Sequence, residues 1–203
     1  MRHGGPEPVS IDGLELRLKL DENPADDDPT ILYDCAPNAD GRTFTSAGPP
    51  PLWGEETNLW PTFRLDTNTY VDLGDAGDFE KDEAFSVGAW IKPRNVPGGR
   101  YWNTKNGALI ARIDTANGFR GWNLYYHDGV VAVQLIHNWP GNAISIETVG
   151  TTEYRDPFNP PEGSHGGTNM TETLPRGSWS HVMFTYDGSG KAAGVKVYVN
   201  GIK

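Results

Sequence analysis

Apolar residues recur at every second position through much of this chain, the period of a pleated strand with one buried face. Leu14, Leu16, Leu18 and Leu20 alternate with Glu15, Arg17 and Lys19, which predicts a half-buried strand over 14–20. Within 84–92, Phe85, Val87, Ala89 and Ile91 share one face. Ser86, Gly88, Trp90 and Lys92 share the other, and Pro93 stops the strand. Val195, Val197 and Val199 oppose Lys196 and Tyr198 in the same way. Further strands are predicted at 31–33, weakly at 43–45, and at 63–65, 69–73, 108–113, 121–126, 130–137, 143–149 and 181–186. Residues 34–62 and 153–175 are crowded with Gly, Pro and polar residues, which predicts long loops. No segment carries the 3.6-residue period of a helix.

The stretch from Trp179 to Gly201 holds two alternating strands around a Gly-rich turn. It closes on Asn200-Gly201, the strongest short signal for a hairpin turn. Only Ile202 and Lys203 follow, so the chain is expected to stop before its last strands. Many short antiparallel strands without helices pack as two sheets or close as a barrel. The expected fold is an all-β, two-sheet antiparallel β-sandwich over residues 10–203, after a flexible lead-in at 1–9.

Composition narrows the function. The chain has 25 Gly and 16 Pro among 203 residues, which suits many turns. A formal net charge of −10 argues against a nucleic-acid partner, whose phosphates would be repelled. Cys35 is the single cysteine, so no intrachain disulfide can form. No run approaches the 18 apolar residues of a membrane span, and the first residues lack the apolar core of a signal peptide. An export signal, if the parent protein is secreted, is expected upstream of Met1.

Four segments carry a resemblance: FSVGAWIKP (85–93), GALIARID (107–114), GWNLYYHDGVVAVQLIHNW (121–139) and GSWSHVMFTYDGSGKAAGVKVYVNG (177–201). The Trp179-x-His181-Val182 start, Tyr186-Asp187-Gly188 and Tyr198-Val199-Asn200-Gly201 are its most specific texts. LRLKLDEN (16–23) and YVDLGDAGDF (70–79) fit the N-terminal half. Together they resemble bacterial laminin-G-like domains of the concanavalin A-like lectin/glucanase superfamily. The resemblance implies a jelly roll, a role in sugar or protein binding or adhesion, and often a calcium ion at the rim. It also implies a module of a large exported bacterial protein, some of which carry haem domains. Residues 150–173 read as an insertion into that pattern.

Three chemistries follow. Glucanase relatives use Glu-x-Asp-x-x-Glu on a strand, with the two working carboxylates about 5 Å apart in retaining enzymes. Here the nearest text is Glu80-Lys81-Asp82-Glu83-Ala84-Phe85, where Phe85 replaces the third carboxylate and the segment reads as a turn. No catalytic residues are assigned. Calcium needs six to eight hard oxygens. They are offered by Asp21, Asp26, Asp27 and Asp28, or by Asp34 with Asn38 and Asp40. A sugar needs aromatic platforms beside planar hydrogen-bonding groups. Alternation places Trp90, Arg112, Asn123, Tyr125, Gln134, His181 and Tyr198 on the non-core side, and loops add Tyr101, Trp102 and Trp139. In the resembling jelly rolls, Trp90, Trp122 and Trp179 correspond to packing positions.

The first expectation is a non-catalytic carbohydrate-binding or adhesion module, with a carbohydrate or protein ligand and neighbouring domains of the parent chain as partners. The alternative is a structural module packed against a catalytic or haem domain. A glycoside hydrolase domain is the weaker third.

Overall fold

A computed structural model describes residues 13–18, 20, 30–48, 52–55, 61–64, 70–93, 107–127, 130–148, 152–154, 170–172, 174 and 177–203. Fourteen strands lie among them. They are β1 (Ile31–Tyr33), β2 (Thr43–Ala47), β3 (Leu52–Glu55), β4 (Pro61–Arg64), β5 (Tyr70–Val71), β6 (Phe85–Ile91) and β7 (Gly107–Asp114). The rest are β8 (Arg120–His127), β9 (Val130–Asn138), β10 (Asn142–Glu147), β11 (Thr152–Tyr154), β12 (Met170–Glu172), β13 (Ser180–Tyr186) and β14 (Val195–Val199). Every pairing is antiparallel. Among the described residues there is no α-helix, only one turn of 3-10 helix at Ala192–Gly194. The contacts divide the chain into two compact units, 1–78 and 79–203.

In the first unit, β1, β2 and β5 form a three-stranded sheet, and β3 pairs with β4. Leu32 and Phe44 face each other across β1 and β2, and both are buried. The leucine series at 14–20 does not become a strand. Among the described residues it makes one bridge, Leu18 to Asp34, beside hydrogen bonds from the Cys35 N–H to the Arg17 carbonyl and from the Arg17 N–H to Asp34, and none of its leucines is fully buried. Alternation supplies one apolar face, but a strand also needs a partner for its N–H and C=O groups.

The second unit is the sandwich. One sheet runs β10-β9-β8-β7 and the other β14-β13-β6. Trp122, Leu124, Val131 and Val133 from the first sheet meet Phe85, Val182, Phe184, Val195 and Val197 from the second in one buried cluster. The rings interlock: Phe85 lies 5.5 Å edge-on to Phe184 and 5.6 Å from Trp122. Phe79 stacks on Phe85 at 4.4 Å. Each such side chain contributes about 1.5–3 kcal/mol of burial. The predicted alternation of β6, β13 and β14 holds throughout, with Ser180, Val182, Phe184 and Tyr186 inward. Asn200 and Gly201 both have positive φ, 51° and 78°, as a two-residue type I′ turn demands. Val199 and Ile202 exchange both backbone hydrogen bonds across it, each 2.9 Å.

The 153–175 segment departs from the loop expectation. β11 and β12 pair as a short ladder, and Leu174 has no exposed surface, packed in the sandwich core. A single leucine in a polar run leaves no periodicity to read.

Candidate functional site

The sandwich separates the predicted binding residues. In a sheet, residues paired across strands share a face. Trp90 pairs with His181, and Met183 with both Gly88 and Tyr198. These residues form the outer face of the β14-β13-β6 sheet. Asn123 pairs with Gln134, and Gln134 with Ser145. They form the outer face of the opposite sheet. Alternation along a strand cannot reveal this division, because it does not say which sheet the strand joins.

The Trp90 face is open and aromatic. Trp90 is 66% exposed, and its ring centroid lies 5.3 Å from that of His181 at a 56° tilt. The small residues Gly88 and Ser86 precede it on the same stripe and leave a flat floor beside the indole. Tyr198 and Met183 are half-buried in the next row. The backbone under His181 is fixed: its N–H donates to Asn200 Oδ1 at 2.9 Å, and Asn200 N–H donates to its carbonyl at 2.8 Å. Trp179, just before β13, is 46% exposed. Trp90 and Trp179 are therefore surface residues, and only Trp122 of the three expected packing tryptophans fills the core.

The opposite face is polar and largely closed. Asn123 Nδ2 donates to Gln134 Oε1 at 3.1 Å, while Asn123 Oδ1 is buried without a hydrogen-bond partner. Burial and then the Glu147 charge raise the Tyr125 hydroxyl pKa, against a hydrogen bond with Ser145. Ala132 and Ile136 point away from the core on this face, yet both are buried. Little open surface remains for a ligand at its centre.

Arg112 does not lie on either outer face. It pairs with Trp122, and Ile110 pairs with Leu124, so Arg112 occupies the inward row at the β7 edge. Strand β7 carries apolar residues on both sides, and its register shifts between Ala108 and Ile110. Neither feature gives alternation a clear sign.

Asp34 is buried and saturated with donors. Its Oδ1 accepts the N–H groups of Arg17 and Ala36, each at 2.9 Å. Its Oδ2 accepts Arg42 Nε at 2.8 Å and also Arg42 Nη2. Burial pushes the carboxyl pKa up, but those N–H groups and the guanidinium outweigh it and hold the group below its ordinary range. A calcium ion on Asp34 would have to displace Arg42. Asn38 and Asp40 are exposed, and no metal-holding cluster of three His, Cys, Asp or Glu occurs among the described residues. Asn38 lines an open cleft of about 770 Å³ in the first unit, with Glu15, Arg42, Thr43 and Asp72. The second acidic group, Asp21 to Asp28, lies outside the described residues, as do Tyr101 and Trp102.

Glu80 to Ala84 forms a turn before β6. Glu83 Oε2 accepts the Glu80 N–H at 2.7 Å, which closes the turn on itself.

The family is decided by residues 65–203, which match a laminin-G family model of the concanavalin A-like lectin/glucanases superfamily. The chain belongs to the concanavalin A-like lectin/glucanase superfamily. The match begins at residue 65, so it covers the whole second unit. It does not extend over the leucine series at 14–20. No curated protein and no solved structure matches the chain significantly. Within this superfamily fold, the residues that sequence reasoning missed are Phe119 and Met183. Phe119 follows Asn117-Gly118, a turn signal that marks an aromatic beside it as exposed.

Proposed function

We propose that this protein is a non-catalytic carbohydrate-binding module of a larger exported bacterial protein, and that it binds through the Trp90 face. The observation that carries the reading is the two-thirds exposed Trp90 indole beside His181 on a flat sheet surface. Trp90 does not stand alone: His181, Met183 and Tyr198, all partly exposed, share its face, and a contiguous aromatic and apolar patch of this kind marks a binding surface. A pyranose presents an apolar face that such a ring covers, and His181 and Tyr198 supply polar edges for its hydroxyls. A flat, open floor suits an extended chain better than a single small molecule. The closed Glu80–Glu83 turn supports binding without hydrolysis. Among the described residues, no helix is long and apolar enough to cross a membrane.

The test is retention on a panel of immobilised polysaccharides in affinity electrophoresis, with calcium and with EDTA. The expected result is retention by at least one glycan, weakened in Trp90→Ala and unchanged by EDTA, because Arg42 occupies Asp34. Equal retention of wild type and Trp90→Ala would remove the Trp90 face from the reading. A dependence on calcium would return the metal to it.

A further inference from the structure

A second pair of exposed aromatics stands at one end of the four-stranded sheet. The turn joining β7 to β8 carries Phe119, 48% exposed, and the turn joining β9 to β10 carries Trp139, 44% exposed. Antiparallel order brings these two turns to the same end, where Trp139 N–H donates to the Gly118 carbonyl at 2.8 Å.

Both rings stand on fixed backbone. Asp114 Oδ1 accepts the Ala116 N–H at 3.0 Å, and Oδ2 accepts Asn117 Nδ2. Arg120 N–H donates to the Asn117 carbonyl at 3.2 Å. The Asn138 amide packs on Gly118, where a Cβ would have to push it aside. The next residue, Phe119, has φ of +61°, a conformation uncommon and costly outside glycine. A bulky side chain in that region, turned into water, is a local cost that folding does not explain. Sites that hold strain against such anchoring are concentrated at ligand clamps.

We propose that this rim is a second aromatic binding site, taking the apolar face of a pyranose on Phe119 and Trp139. Asn138 and Asn142, exposed at the paired ends of β9 and β10, supply amides for its hydroxyls. The proposal shares its ligand class with the carbohydrate reading above but not its place. Rings held before binding cost little entropy to use, which is where a pre-formed site gains affinity.

The experiment follows tryptophan fluorescence of the full chain titrated with cello-, xylo-, manno-, laminari- and chito-hexaose. The variants are Trp90→Ala, Trp90→Ala with Trp139→Ala, and Trp90→Ala with Phe119→Gly. In Trp90→Ala a saturable signal should remain for at least one sugar. Removing either rim ring should then weaken it about tenfold, the scale of one lost aromatic contact. Phe119→Gly is informative because glycine accepts the positive φ: its thermal midpoint should hold or rise while binding falls. The proposal is overturned if the Trp90→Ala signal is unchanged by both rim substitutions, or if Trp90→Ala alone abolishes all binding. That second outcome leaves the Trp90 reading intact. A wild-type chain that binds none of the five sugars sinks both.

Discussion

Trp122 and Trp90 occupy strands with the same alternating pattern and meet opposite ends. Trp122 is 6% exposed, with its ring 5.6 Å from Phe85 and 6.0 Å from Phe184. Trp90 sits on a strand of the facing sheet, but its side chain leaves on the water side. One position of register decides between them, because the side-chain period of a strand is two. The same residue type is thus a core anchor in one sheet and an unspent apolar surface in the other. The contrast separates stability from binding, and it can be broken by experiment.

The largest effect belongs to the inner ring. Trp122→Ala should destabilise the sandwich by about 3–5 kcal/mol, since the neighbouring aromatics cannot close a cavity of that size. Urea melts followed by circular dichroism read this directly. A loss under 1 kcal/mol would show that the Phe85–Trp122–Phe184 cluster is not the core.

Acids show a parallel contrast. Asp34 and Asp114 both have depressed pKa values. Burial works against Asp34 before its donors prevail, while Asp114 is exposed and lowered first by Asn117. Asp34→Asn should cost about 2 kcal/mol at neutral pH, because Arg42 and two N–H groups lose a charged acceptor while the Arg42 side chain stays partly in water. A folded-state pKa below the unfolded one, about 3.9, means the contribution is complete above that value and disappears as pH falls through the folded pKa. The gap between wild type and Asp34→Asn should therefore shrink below about pH 4. A gap that stays constant down to pH 2 would mean that the carboxylate charge is not what stabilises this site.

A smaller effect tests the turn below the binding face. Asn200→Ala removes the Oδ1 that accepts His181 N–H and puts alanine, which tolerates the left-handed region less well than asparagine, at φ 51°. The cost should be about 1–2 kcal/mol. Asn200→Gly should recover part of it, by restoring the backbone but not the acceptor. If glycine is as harmful as alanine, the hydrogen bond to His181 carries the whole effect.

These residues also mark how far sequence reaches. The alternation of β6, β13 and β14 and the Asn200-Gly201 turn are local properties, set within a few residues, and they are legible. The leucine series at 14–20 is just as regular but forms no ladder among the described residues beyond the Leu18–Asp34 bridge, because pairing depends on residues far away. Trp90 with His181 and Tyr198 was recognisable as a non-core stripe. Its separation from Asn123 and Gln134 required the strand order. Arg112 required the register of β7 against β8, and Asp34 required its encounter with Arg42, eight residues further along a turn. Phe119 stands beside the legible Asn117-Gly118 turn, but its left-handed backbone, φ +61°, is not encoded in composition.

The smallest stability effect falls on the residue with the largest proposed binding role. Trp90→Ala removes a ring that is mostly in water, so unfolding free energy should change by no more than about 0.5 kcal/mol. The change should be small even though the deleted side chain is as large as that of Trp122. Among the described residues its ring contact is with His181, and a tilted contact at 5.3 Å on an open face contributes little. A loss of glycan retention with an unmoved melt would separate the two tryptophans cleanly, one holding the sandwich and one meeting the ligand. A loss near 3 kcal/mol would instead show that Trp90 is covered in solution, and with it the face on which the binding proposal stands.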